Sequence, residues 1–266
     1  MMILNALRLL KRNPVLIFLF LLYMLIMDTA AFLLMPHRMD QTDTLAMLIT
    51  TAALLLFSLV SGVTGLVFFS GYGHMLAEAV TKGATSLRSF PAGIARFFAR
   101  LFLAFLLLIA IAIGFSIVLV TALIPVSLLM AMGGLAGASA AGIVTTSVVS
   151  GLVVLSIPFI LPWIPALFID GAGVIDSLKT GLRAGARNYG ALLLWTVILY
   201  APSLIYTLFN LSSMNQGELL TPGYFAVTVL TSVLSLIFTP ALFELYNKKR
   251  RPAPLPAPGD PGAGRP

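Results

Sequence analysis

His74 and Glu78 stand four residues apart, one helical turn, and His37, Asp40 and Asp43 crowd a short segment between two apolar runs. These are the side-chain types that ligate zinc or move protons. Neither group has the full ligand set of a zinc site. With two histidines and no cysteine, no nucleophile and base are placed to meet on one side of a membrane. The expectation is therefore no catalytic residue, no metal and no cofactor. A better-defined pattern is cationic. Arg8 and Arg12, Arg96 and Arg100, and Arg183 and Arg187 are each spaced i,i+4, which on a helix puts both guanidiniums on one face. Such pairs suit phosphate or carboxylate oxygens, because the planar fork donates paired hydrogen bonds. Asp170 and Asp176 precede the third pair, so carboxylates within the protein compete with lipid phosphate as its partners. The alternative is a topological signal in which only positive charge matters.

The arginines lie on segments that repeat. Leu7 to Asn13 and Leu182 to Asn188 both read L-R-x-x-x-R-N, each just before a long apolar run; Arg96 follows Arg8 by 88 residues, and Arg183 follows Arg96 by 87. Ile3, Leu7 and Leu10 form an apolar stripe opposing the first pair, and Ile175, Leu178 and Leu182 oppose the third. The pattern predicts interfacial amphipathic helices over 2–12, 92–99 and 174–188, each inclined to the span that follows, with arginines snorkelling toward headgroups. A second echo is Pro165-Ala166-Leu167-Phe168 against Pro240-Ala241-Leu242-Phe243, with Asp170 and Glu244 just beyond. The echoes are incomplete, since no Asn follows Arg100 and the run FFSGYGHML has no PALF. Two readings stand: a three-hairpin pseudo-repeat about an axis along the membrane normal, or positive charge placed before every inward-to-outward span.

The elements that must carry these helices are set by composition. Hydrophobic residues make up 59% of the 266 and charged residues 9%, with a mean hydropathy of +1.04; soluble domains carry about 25% charged residues. From Leu101 to Ile169 there is no charged side chain. As helix that run is on the order of 100 Å long, several times a ~30 Å hydrocarbon core. Six apolar runs are long enough to cross: Pro14 to Met35, Leu45 to Ser70, Leu101 to Ile124, Ile143 to Ile169, Ala191 to Leu211 and Tyr224 to Tyr246. The second and fourth are longer than a span needs. A signal peptide is the competing reading of the first run, and its apolar resumption at Phe32 to Met35 argues against that. The fold class expected is all-α, a polytopic transmembrane helical bundle over residues 1–251, followed by a disordered Pro/Gly-rich cytoplasmic tail over 252–266.

Basic residues orient the bundle. Fifteen of the sixteen Lys and Arg fall in segments on one side of a six-span topology, and Arg38 alone falls on the other. By the positive-inside rule both termini are cytoplasmic, in the plasma membrane. The net charge of +7 then describes a rim facing anionic headgroups, and no nucleic-acid partner is needed. Membrane lipids are the expected partners, with a protein partner or a second copy beside them. Asp28, an acid inside the first run, is expected as a polar residue near the outer interface, an ion site being the rarer case. Pro158, Pro162 and Pro165 predict a broken fourth span, and Gly133, Gly137, Ala141, Gly142 and Thr146 a close-packing surface.

The stretches ALRLLKRNPVLIF, PALFIDGAGVIDSLKTGLRAGARNYGALLLW and TPALFELYNKKRR resemble those of the six-helix prokaryotic membrane proteins of the glycerophosphoryl diester phosphodiesterase membrane-domain-like family. The resemblance implies a six-helix bundle, and it carries no catalytic residues to transfer. A phosphodiesterase needs a separate soluble catalytic domain, and no stretch here could form one. The function expected is an accessory, scaffolding or membrane-organising role without chemistry of its own. A small transporter or permease subunit with a site at the broken fourth span is the alternative, and a lipid-modifying membrane enzyme ranks third.

Overall fold

A computed structural model of the chain describes residues 2–34, 44–132, 151–209 and 222–250, and within these the regular structure is entirely α-helix. The order is α1 (Met2–Arg12), α2 (Pro14–Leu34), α3 (Thr44–Lys82), α4 (Ser89–Ala131), α5 (151–160), α6 (Trp163–Asp170), α7 (Val174–Arg187), α8 (Tyr189–Phe209) and α9 (Pro222–Arg250). The outer-segment residues His37, Arg38, Asp40 and Asp43, the small-residue run from Gly133 to Thr146 and the tail over 252–266 lie outside the described residues.

The repeated Asn is a corner. Asn13 closes α1 by donating its backbone N–H to the Leu9 carbonyl at 3.0 Å, and its side-chain amide donates to the same oxygen at 3.0 Å. Its own carbonyl accepts from Leu16 at 3.0 Å. Pro14 then opens α2 at a position where a missing N–H costs nothing. Asn188 repeats the device: its backbone N–H reaches Gly185 O at 3.1 Å, its amide donates to Ala184 O at 2.8 Å, and its carbonyl accepts from Leu192 at 3.0 Å. A short polar side chain that satisfies carbonyls of the last turn lets one helix stop and another start without orphaned backbone groups. The middle unit lacks it. Leu101 stands where the other two have Asn, no corner forms there, and α4 continues as one helix of 43 residues. The expectation of a separate helix over 92–99 is thus corrected: that segment forms opening turns of α4.

Among the described residues five helical stretches are long and apolar enough to cross a membrane: Pro14–Ala31, Leu48–Lys82, Ser89–Pro125, Gly151–Asp170 and Phe225–Lys248. A shorter apolar helix, Tyr189–Ser203, lies where the fifth run was expected. The second run extends as helix well past Ser70, and the third starts before Leu101. In the fourth the chain turns at Leu161 and Pro162, between α5 and α6. Large side chains such as Ile117 and Val118 are 62% and 67% exposed, a surface that suits an apolar solvent and opposes water.

The core gathers at one end of these helices. The last turns of α3 contribute Phe68, Tyr72, Met75, Leu76 and Val80, and Leu9, Leu16, Phe97, Phe168 and Phe243 pack against them. Both PALF segments are buried throughout, and their phenylalanines meet, with ring centroids of Phe168 and Phe243 6.1 Å apart. The α7 helix closes over the broken fourth span through a face of Ser177, Gly181 and Gly185. A Cβ on Gly181 would fall 2.6 Å from the backbone of Trp163, and one on Gly185 2.6 Å from the Pro158 carbonyl oxygen. That carbonyl is one whose helical donor Pro162 removes.

Because backbone atoms cannot swing aside, Gly185→Ala should destabilise the fold by about 1–3 kcal/mol, the usual cost of overpacking. Gly190→Ala, whose Cβ would meet nothing within 4 Å, should be neutral or slightly stabilising. Thermal unfolding of the two variants in one detergent distinguishes them.

Candidate lipid-facing clefts at the basic rim

The amphipathic helices present three faces. In α7 the small residues point inward, Ile175 is 60% exposed and Leu182 is exposed, and Arg183 and Arg187 project from a third face. In α1 the inward set is Ala6, Leu9, Leu10 and Asn13, while Ile3, Leu4 and Leu7 are exposed. Of the expected apolar stripes, then, only Leu10 is buried in the protein. The others largely face outward.

One cleft, of about 410 Å³, is lined by Asp170, Thr180, Arg183, Arg187, Asn188 and Tyr246. Asp170 ends α6, and Gly171 turns the chain in the left-handed region at φ 61°, a conformation cheap only for glycine. Arg100 clamps the turn, its Nη1 donating to the Gly171 carbonyl at 2.6 Å, and the Trp163 indole N–H donates to Val174 O at 3.1 Å. The Tyr246 hydroxyl, from α9, donates to Asp170 Oδ2. Asp176 does not line this cleft; it sits exposed in the first turn of α7, where the helix dipole favours a carboxylate. Of the two acids expected to stand near the arginines, the structure brings in Asp170.

A second cleft, about 290 Å³, is lined by Asn5, Arg8, Arg12, Val80, Gly83 and Glu244 among others. The acid that follows PALF in α9 thus shares space with the first arginine pair, as Asp170 does with the third. This end is fastened by Asn13, whose Oδ1 accepts the Thr85 N–H at 2.9 Å, and by Asn247, whose amide donates to Val80 O at 3.2 Å. Glu78 holds the turn between α3 and α4, accepting from Lys82 at 2.7 Å, Thr85 at 3.2 Å and Ser89 Oγ. His74 instead lies against the Phe97 ring, centroids 5.4 Å apart. Arg96 and Arg100 flank the same ring, their guanidinium carbons 5.2 and 5.9 Å from its centroid. Asp28 is half-buried in α2 and lines neither cleft.

Sequence reasoning missed Tyr246, Trp163 and the inward glycines of α7. The signal for Tyr246 was present: it lies three residues past PALF in α9, where a phenol at a helix end often anchors to a polar partner. Chemically, each cleft combines two guanidiniums and one carboxylate, leaving a single positive charge. Unused guanidinium N–H groups can bind a phosphate-sized anion while the acid orients them.

The helices and rim define an all-helical protein with several helices able to cross a membrane. The chain belongs to the family described as a domain of unknown function, DUF7847, which it matches over residues 2–246. That description names no phosphodiesterase. No curated protein and no solved structure matches the chain.

Tyr246→Phe removes the only proton the side chain can give Asp170, so it should lower stability by about 1.5–3 kcal/mol, the range for hydrogen bonds to charged groups. Asp170→Asn keeps an acceptor oxygen and should lose less. Denaturation of both variants in detergent tests the ranking.

Proposed function

We propose that the chain is a six-span bundle of the cytoplasmic membrane, with both termini cytoplasmic, which organises anionic lipid along its inner rim as an accessory or scaffolding protein without catalytic chemistry of its own. The observation that carries this reading is the three-faced helix. An arginine pair lines a cleft on one side, an apolar stripe faces outward on the next, and small or apolar residues dock the helix on the bundle. This arrangement supports a position of the guanidiniums at headgroup depth with acyl-compatible surface beside them. Six crossings follow if Tyr189–Ser203, continued to the end of α8, spans with the five longer stretches. The fifteen-to-one split of basic residues supports the orientation. Within DUF7847 we place the chain near the six-helix glycerophosphoryl diester phosphodiesterase membrane-domain-like proteins, on the stretches they resemble. A protein partner or second copy on the outward faces is compatible with the scaffolding role. The transport alternative is weakened where it was sharpest, since Gly185 covers the Pro158 carbonyl that the break frees.

Reporter fusions after Met35, Ile124 and Leu211 should read as external, and fusions after Ser70, Ile169 and Tyr246 as cytoplasmic; reversal at two sites rejects the topology. A double Arg183→Lys, Arg187→Lys variant keeps the charge and so should insert normally. If the clefts grip phosphate through paired guanidinium bonds, it should retain several-fold less anionic phospholipid on purification. Retention equal to the parent would leave the arginines as topological signals.

A further inference from the structure

Another cleft, of about 430 Å³, opens among α2, α3, α6, α8 and α9 and shares no lining residue with the two rim clefts. Its α9 wall is a file of hydroxyls, Thr228, Thr231, Ser232, Ser235 and Thr239. Spaced at three and four residues, they hold one helix face over roughly 16 Å. Several have already given their protons to their own helix: Thr231 to Val227 O at 3.0 Å, Ser232 to Thr228 O at 2.7 Å and Thr239 to Ser235 O at 2.9 Å. Each of these three oxygens presents only lone pairs to the cleft, so at these positions the wall accepts. On the α2 and α3 side stand Tyr23 and Tyr72, joined through Phe68, which stacks on Tyr23 at 4.0 Å and on Tyr72 at 5.2 Å. Tyr72 is fully buried, and its hydroxyl has no hydrogen-bond partner among the described residues. A buried phenol left in that state is costly, and an occupant of the adjoining cleft that accepts from it removes the cost.

No Asp, Glu, Lys, Arg or His is among the described residues of this lining. A carboxylate or ammonium would therefore sit there without a counter-charge, which apolar surroundings penalise heavily. Leu76, Ile164, Leu199 and Leu242 complete the walls and offer an acyl chain a matched environment. The occupant must accordingly be neutral, apolar along most of its length, and able both to donate to the α9 oxygens and to accept from Tyr72. A hydroxyl does both. We infer that this cleft is a binding site for a neutral lipid with a hydroxyl head, an acylglycerol or a long-chain alcohol. The site is independent of the rim clefts.

The test titrates the purified full chain in detergent with monopalmitoylglycerol, hexadecanol, palmitate and hexadecylamine, reading thermal unfolding and retained ligand by mass spectrometry. The two neutral ligands should raise the unfolding temperature saturably and remain bound one to one, and the two charged ligands should bind at least about tenfold more weakly. Tighter binding of monopalmitoylglycerol than hexadecanol identifies an acylglycerol as the source; equal binding identifies a simple alcohol. Thr231→Val, Ser235→Ala and Tyr72→Phe should each weaken binding roughly fivefold, about the value of one hydrogen bond. Thr121→Val, on the exposed side of α4, should leave it unchanged. No saturable binding, which would mean a cleft holding water alone, equal affinity for all four ligands, or undiminished affinity in both Ser235→Ala and Tyr72→Phe would each overturn the assignment. Ser235→Ala decides the matter if Thr231→Val fails to fold.

Discussion

In an apolar surrounding every backbone N–H and C=O must find its partner within the protein, and the places where the ladder is cut decide what must pack beside them. Pro158, Pro162 and Pro165 cut it three times within two turns. The cut is answered by Gly181 and Gly185, which bring the α7 backbone against the segment from Pro158 to Trp163. The Tyr189 hydroxyl adds a bond to Leu155 O at 3.1 Å. Once α7 is seated there, its register fixes the rest. Arg183 and Arg187 come beside Asp170, and Asn188 falls where α8 must begin.

The cuts at Asn13 and Asn188 work differently, since there the side chain replaces the missing partner and two helices meet at a corner. Leu101 offers no such group, and the corresponding helix does not bend into two. The segments that carry the three arginine pairs thus resemble one another to the extent that they share this residue. Two of them fasten this end with an acid, Glu78 at the turn into α4 and Asp170 in its bond from Tyr246, and the third brings Glu244 into the cleft beside α1. Their partners differ, and so does the geometry each holds.

The sequence made the apolar runs, the arginine pairs and the corners legible because these are local, carried by period and by a few residues in register. The break at Pro162 was legible for the same reason. Which face of α7 turns inward was not. Ile175, Leu178 and Leu182 mark on a helical wheel the side that faces out, but the inward side is set by Gly181 and Gly185, because close approach to a broken backbone demands glycine. The bond of Tyr246 to Asp170 joins residues 76 positions apart, and no spacing rule reaches that far. The hydroxyl file of α9 has a helical period in the sequence, but its meaning depends on Tyr72 lying across from it.

The packing of α1 against α9 has a consequence for assembly. Helix α1 finds its main partner in α9, which is synthesised roughly 200 residues after it; at ~5–20 residues per second this is a wait on the order of ten to forty seconds. Through that interval Ala6, Leu9 and Leu10 of α1 lack their cover, while Ile3, Leu4 and Leu7 are exposed before and after it. An apolar stripe that packing never claims can moor the unfinished chain on any apolar surface, and the wait ends when α9 closes over the other side.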